Sequence, residues 1–422
     1  MGLGLLGRGI GDARFLASLG ADIIVTDLKT EKELESSLAE LKEFPNITYH
    51  LGGHKLEDFD DRDMVIKAAG VPLDSIYIAE AKKNGVPVYM STALFAKFAT
   101  EAGVRLVGVT GTRGKSTVSH LICHALEAAG KPVHLGGNIR GISTLEMLPE
   151  IKAGDVVVLE LDSWQLQGFG DLQISPHVAV FTNLLDDHLN YYKGDIEAYF
   201  WDKANIFTHQ KPADKLIVGA QVLGKIQNAN PPMAPMVPPP LPEDWNLQLV
   251  GEHNKGNAAL AALVLRMLGL SDNEIKLGLE SFEPVEGRLQ KAAAIGGVTI
   301  YNDNNATTPD ATVAALDSFA GERVILIAGG TDKQLPIDTL AGKMNALDSD
   351  VVLLPGTGTE RLKPMLTKYV EAASMQEAVI KAFDAAKGSG TVLFSPAFAS
   401  FGLFANEYDR NDQFLAALKQ LQ

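Results

Sequence analysis

A chain of 422 residues exceeds the ~100–200 of one ordinary domain, so two or three domains are expected. Hydrophobic residues at 46% and charged residues at 21% exclude a disordered chain, and a net charge of −15 argues against nucleic acid as a partner. Cys123 is the single cysteine, which excludes an intrachain disulfide and a thiolate metal cage; with no bilayer-length apolar run or leader pattern, no membrane partner and a cytoplasmic location are expected.

The N-terminus opens on Gly2-x-Gly4-x-x-Gly7, followed by a helical stretch over 12–19 and a strand ending at Asp27. In a dinucleotide-type half the Gly-rich turn follows a strand. Only Met1 precedes it here, so the first strand is expected to lie outside the sequence and the first sheet to be weakened; an accidental motif is the other reading. Short β-branched runs then recur at 104–109, 155–161, 178–181, 324–328 and 351–354, separated by Gly-rich turns and helical stretches. Apolar strands alternating with helices predict parallel sheets covered on both faces. The fold class is therefore α/β, with three domains of mainly parallel sheet and flanking helices over 1–98, 99–286 and 287–422. Pro231, Pro232, Pro235, Pro238, Pro239, Pro240 and Pro242 crowd one stretch, which forbids a helix or a central strand. It is expected to be a surface excursion inside the central domain.

The strongest motif is Gly108-Val109-Thr110-Gly111-Thr112-Arg113-Gly114-Lys115-Ser116-Thr117, after an apolar strand and before a helical stretch. Such a turn aims backbone N–H groups and a helix N-terminus at anionic oxygen. Lys115 supplies a charge for the β- and γ-phosphates, and Ser116 a hydroxyl for Mg²⁺. The standard phosphate-loop spacing is not met, because position 109 is Val. A Gly-rich turn without a ligand is the bland alternative.

Further motifs follow in order. They are Gly136-Gly137-Asn138-Ile139, Glu160-Leu161-Asp162-Ser163-Trp164, Asp186-Asp187-His188, Gly251-Glu252-His253-Asn254-x-x-Asn257 and Gly287-Arg288-Leu289. Asn302-Asp303, Ala306-Thr307, Gly329-Gly330-Thr331-Asp332-Lys333 and Ser395-Pro396-Ala397-x-Ala399-Ser400-Phe401 complete the series. The loop and this order resemble the Mur ligases over nearly the whole chain.

The resemblance implies a Rossmann-like N-terminal half that holds UDP, a central phosphate-loop ATPase domain and a Rossmann-like C-terminal domain, in a monomer. It implies an ATP- and Mg²⁺-dependent ligase of cytoplasmic peptidoglycan precursor synthesis, joining glutamate, in the D form, to UDP-N-acetylmuramoyl-L-alanine through an acyl-phosphate. It assigns ATP to Gly111, Thr112, Arg113, Gly114, Lys115, Ser116, Thr117, Asn254, Asn257, Arg288 and Asp303. Metal falls to Ser116, Glu160, His188 and a carbamylated Lys203, and catalysis to Lys115, His188 and Lys203. The UDP-substrate is assigned to Gly4, Gly7, Asp27, Leu28 and Asn138, and the amino acid to Thr307, Lys333 and Ser400. A hinge near 285–290 is expected to let the last domain close over ATP. Taken alone, a helical lysine such as Lys203 is a solvated cation, Asn257 is an ordinary capping residue, and Gly-Gly-x-Asp-Lys is a plain loop.

The chain departs from the family wording. Asn304-Asn305 stand where Ser-Lys is usual, so a cation is absent at 305, and Gly287 precedes Arg288 where His is usual. Asp162-Ser163 replaces Ser-Ser, Asn190 replaces an acid, and Phe398, Gly402 and Glu407 alter the C-terminal pocket. These changes leave the ATP and metal chemistry in place and leave D- against L-glutamate open. A folylpolyglutamate-type or other Mur acceptor, a non-catalytic nucleotide-binding relative, and a nicotinamide-dependent oxidoreductase remain as alternatives, the last on the N-terminal glycines alone.

Overall fold

The computed structural model describes every residue except 6, 73, 189, 190, 348, 349 and 422, so the Asn190 departure lies outside the described residues. Contacts divide the chain into two compact units, Met1–Pro239 with Leu260–Gly278, and Pro240–Ala259 with Leu279–Gln422. The chain passes from the first unit to the second between Pro239 and Pro240, within the proline-rich stretch.

The first unit holds the central sheet. Among the described residues it runs, edge to edge, Pro235–Met236, Lys215–Val218, Val178–Phe181, Arg105–Thr110, Val156–Glu160 and Val133–Gly137, every pairing parallel. Val107, Val109, Val157, Val158, Leu159 and Val178–Phe181 are fully buried, because helices cover both faces and both parities of a strand must be apolar. The proline-rich stretch contributes only the two-residue edge strand, where a missing N–H costs no ladder bond.

Two short parallel pairs lie at the N-terminal end of the same unit: Ile23–Asp27 with Ile47–Leu51, and Val65–Ile66 with Val88–Tyr89. The first residues run between them. Gly2 N–H donates to the Thr26 carbonyl at 2.8 Å, and Ala68 N–H donates to the Met1 carbonyl at 2.9 Å. Leu3 packs with Ile10, Val25 and Ile47 in a small core, and Phe59, Val71 and Ile78 form another.

The second unit is built on a sheet ordered Gln290–Ile295, Val298–Asn302, Gly390–Phe394, Val324–Ala328, Val351–Leu353 and Val370–Glu371. All its pairings are parallel except the first, where Gln290–Ile295 runs antiparallel as an edge. Val324–Ala328 is wholly buried, and two apolar clusters lie on its faces.

Candidate active site

Register sets the heights of the functional side chains. Val109 pairs with Glu160, and Gly137 also pairs with Glu160. Strands from the phosphate-loop element to Asn138 therefore end along one rim, the edge at which open α/β sheets bind ligands.

At this rim Arg105–Thr110 breaks into the loop and resumes as helix Lys115–Ala128. Gly111 has φ +138, and a Cβ there would lie 1.9 Å from Thr182 Oγ1. Gly114 precedes the helix at φ +83, the left-handed region that glycine enters without steric cost. Only glycine fits at 111, so the loop lies flat against the neighbouring strand end. Asn183 fastens it: its carbonyl accepts from Thr112 N–H at 2.9 Å and its Oδ1 from Arg113 N–H at 2.9 Å. Thr112 Oγ1 accepts from Leu185 N–H at 2.9 Å.

Lys115 folds back over the loop, its Nζ donating to the Gly111 and Thr112 carbonyls at 3.1 Å each. Lys203, on helix Ile196–Ala204, is 1% exposed and also donates to the Gly111 carbonyl, at 3.0 Å. Its Nζ sits 4.7 Å from the Tyr199 ring centroid. Two amino groups thus converge on one oxygen. Burial, then the charge of Lys115, holds Lys203 well below the usual lysine range, while Asp162 and Asp187 oppose the shift.

The remaining expected metal positions are Ser116, 9% exposed in the first turn of the phosphate-loop helix, and Glu160, 3% exposed at its strand end. His188 adopts φ +55, which turns its ring against Trp164 at 5.0 Å between centroids. Its backbone N–H donates to Asp187 Oδ1 at 2.9 Å, and Asp187 also pairs with Arg113 at 3.1 Å. Among the described residues no group of three or more His, Cys, Asp or Glu side chains forms a metal cage. The expected donor set of hydroxyl, carboxylate, imidazole and carbamate is mostly oxygen, as Mg²⁺ requires, and includes only two of those residue types.

On the same unit, Asn138 N–H donates to the Glu160 carbonyl at 2.7 Å, and its Oδ1 accepts from Arg8 at 3.0 Å. Gly4 N–H donates to Asp27 Oδ2 at 3.0 Å, and Lys29 N–H to Asp27 Oδ1 at 2.9 Å, so the carboxylate ties the Gly-rich turn to the end of its strand. Leu28 is 70% exposed beside it.

In the second unit, Lys333 Nζ lies 3.2 Å from Thr307 Oγ1, and Ser400 is 4% exposed. A bridge between Thr331 and Ala399 ties the Lys333 turn to the Ser400 loop. Asp303 Oδ1 accepts from Leu289 N–H at 3.1 Å and Oδ2 from Ser395 Oγ at 2.9 Å, next to half-buried Arg288. Asn254 and Asn257 lie inside helix Glu252–Met267, which removes the capping alternative for Asn257; Asn257 Nδ2 donates to Asn254 Oδ1 at 3.1 Å. Sequence reasoning missed Arg410, which is 0% exposed and bonds the Asn304 and Phe398 loops. A lone arginine in a charged helical stretch gives no signal of burial.

Residues 1–90 match the Mur ligase MurD-like N-terminal domain, 109–231 the Mur ligase middle domain, and 287–398 the Mur ligase glutamate ligase domain. The chain is 35% identical to the UDP-N-acetylmuramoylalanine–D-glutamate ligase of Roseiflexus sp., covering 98% of this chain and 96% of that protein. It is 33% identical to the ligase of the same name from Borreliella burgdorferi, over 98% and 95%. Its fold is similar to that of the UDP-N-acetylmuramate-alanine ligase MurC from Thermotoga maritima, with a TM-score of 0.65 and 19% identity over 100% of this chain and 98% of that one. Full-length likeness on this scale leaves one assignment: the chain belongs to the Mur ligase family of ATP-dependent, amide-bond-forming ligases.

Proposed function

We propose that this protein adds D-glutamate to UDP-N-acetylmuramoyl-L-alanine in cytoplasmic peptidoglycan precursor synthesis, using ATP and Mg²⁺. The observation that carries the chemistry is the convergence of Lys115 and Lys203 on the Gly111 carbonyl. Amide formation from a carboxylate requires its oxygen to become a leaving group, so the carboxylate attacks the γ-phosphorus of ATP, the bond to the β–γ bridging oxygen breaks, and an acyl-phosphate and ADP result. The glutamate amine then displaces phosphate. Two anions must meet in the first step, and positive charge has to be waiting for them.

Each residue fits a part of that task. The loop amides and Lys115 cradle the phosphates. Burial beside Lys115 favours the neutral amine of Lys203, which can attack CO₂, lose a proton and become a carbamate, an anion in place of a cation. Ser116, Glu160, His188 and that carbamate would hold Mg²⁺, which when bound neutralises charge on the transferring phosphoryl group. Gly4, Gly7, Asp27, Leu28 and Asn138 serve the UDP-linked substrate. Asn254, Asn257, Arg288 and Asp303 serve ATP, and Thr307, Lys333 and Ser400 serve the amino acid. Three functional domains, over 1–98, 99–286 and 287–422, follow the same division.

Phosphate release from ATP, measured with UDP-N-acetylmuramoyl-L-alanine or folate as acceptor and D- or L-glutamate as donor, tests the reading. Release is expected with the UDP-linked acceptor and D-glutamate. Release only with folate, or only with L-glutamate, overturns it.

A further inference from the structure

Arg410 is among the largest fully buried side chains of the molecule, and its surroundings are unusual for a cation. Nε donates to Asn304 Oδ1 at 2.8 Å, Nη2 to the Asn304 carbonyl at 2.7 Å and Nη1 to the Phe398 carbonyl at 3.0 Å. Among the described residues every partner is a neutral carbonyl-type oxygen and none is a carboxylate. Burial lowers the guanidinium to about 10, with Glu407 acting in the opposite sense. A buried charge without an ionic partner carries a desolvation cost that a neutral or apolar fastener would avoid. Arginine's planar fork, however, reaches three acceptors on two chain segments at once.

Those two segments hold two of the three residues assigned above to the amino acid, Thr307 and Ser400. Asn304 lies three positions before Thr307, and Phe398 two positions before Ser400. One further link joins them, Ala397 N–H to the Ala306 carbonyl at 2.9 Å. The Asn304 amide is held at both ends by one helix, since its Nδ2 also donates to the Glu407 carbonyl at 2.9 Å. That helix, Glu407–Lys419, reaches a neighbouring strand end as well, through Asn411 Oδ1 and Asn302 Nδ2 at 2.8 Å.

We propose that Arg410 is a positioning residue for the amino-acid substrate, holding the Thr307 loop in register with the Ser400 loop. The proposal rests on the assignment of Thr307, Lys333 and Ser400 to glutamate. Arg410→Lys keeps a cation but cannot fork across both loops; Asn304→Ser removes the side-chain acceptor and leaves the backbone one.

Steady-state kinetics and hydrogen exchange on the full chain test it. The KM for glutamate is expected to rise roughly tenfold in Arg410→Lys and roughly threefold in Asn304→Ser, with kcat at saturating glutamate changed by no more than about twofold. Affinity for the UDP-linked substrate, measured by titration, should be unchanged. Amide exchange should quicken at 303–307 and 396–400 in both variants. A merely structural role would instead lower kcat with the folded fraction and leave KM alone, and that pattern overturns the proposal. Asn304→Ser carries the test if Arg410→Lys does not fold. Should the parent protein show no glutamate-dependent turnover, the substrate reading fails separately; exchange at the two loops still decides the pinning, and unchanged exchange overturns it.

Discussion

Lys203 in the first unit and Arg410 in the second are both cations with almost no exposed surface, 1% and 0%. Both meet backbone carbonyls, and neither has a carboxylate within hydrogen-bond distance among its described partners. The same desolvation acts on each with opposite results. An ammonium can give up its proton, so burial beside Lys115 favours a neutral amine able to do chemistry. A guanidinium lowered to about 10 is still charged at neutral pH, so its burial yields a rigid fork. Whether a buried cation becomes a reagent or a fastener is decided here by which basic group the sequence supplies.

The sharpest way to break this contrast is at Lys203. Lys203→Ala is expected to lose activity by roughly 10²–10³-fold, with partial recovery on adding bicarbonate or short carboxylic acids that stand in for the carbamate. Lys203→Arg, which keeps its charge under the same burial, should be as inactive and should not respond to them. Full activity in either variant removes Lys203 from the chemistry.

A less buried cation sharpens the comparison from the other side. Lys333 is only half-buried, within 3.2 Å of Thr307 Oγ1. Lys333→Ala should raise the KM for glutamate by roughly tenfold, the value of one charge-assisted hydrogen bond, while ATP affinity measured by calorimetry stays the same. A fall in ATP affinity of similar size would place Lys333 elsewhere.

The smallest effect concerns an acid under the same pressure. Asp12 accepts from Ser143 Oγ at 2.7 Å, and burial raises its carboxyl to about 6 against the opposing bonds to Ser143 and Ser91. Its folded-state pKa lies above the unfolded one, so its contribution is complete at about pH 4 and is lost as pH rises through about 6. Asp12→Asn does not titrate. Relative to the parent it should gain stability between pH 4 and 7, by about 1 kcal/mol after discounting for partial exposure. Denaturant melts at the two pH values check this, and an equal offset at both would refute it.

Legibility followed how far each feature depends on local order. The phosphate loop was readable because strand, glycines and helix are contiguous between 105 and 128. Strands such as 178–181 and 324–328 were readable because burial on both faces leaves an unbroken apolar run. Gln290–Ile295 was not, since its alanines and half-exposed edge position carry neither an apolar run nor alternation. Val133–Gly137 ends in two glycines that read as a turn. The neutral bias on Lys203 comes from burial and from the charge of Lys115, distant in sequence, and Arg410's burial depends on loops that the chain folds back to meet. Asn304 stood out as a departure from the family wording, but its partner could be found only in three dimensions.

The common rim of the central sheet behaves as a ruler. Heights of Glu160 and Asn138 are fixed by backbone pairing with Val109 and Gly137, not by the identity of the apolar side chains beneath. Volume-conserving exchanges in that core should leave the chemistry where it is. Slipping strand Val156–Glu160 by a single position would turn every side chain to the opposite face and put a leucine in place of the carboxylate. The fold could absorb such an error far more readily than the reaction could.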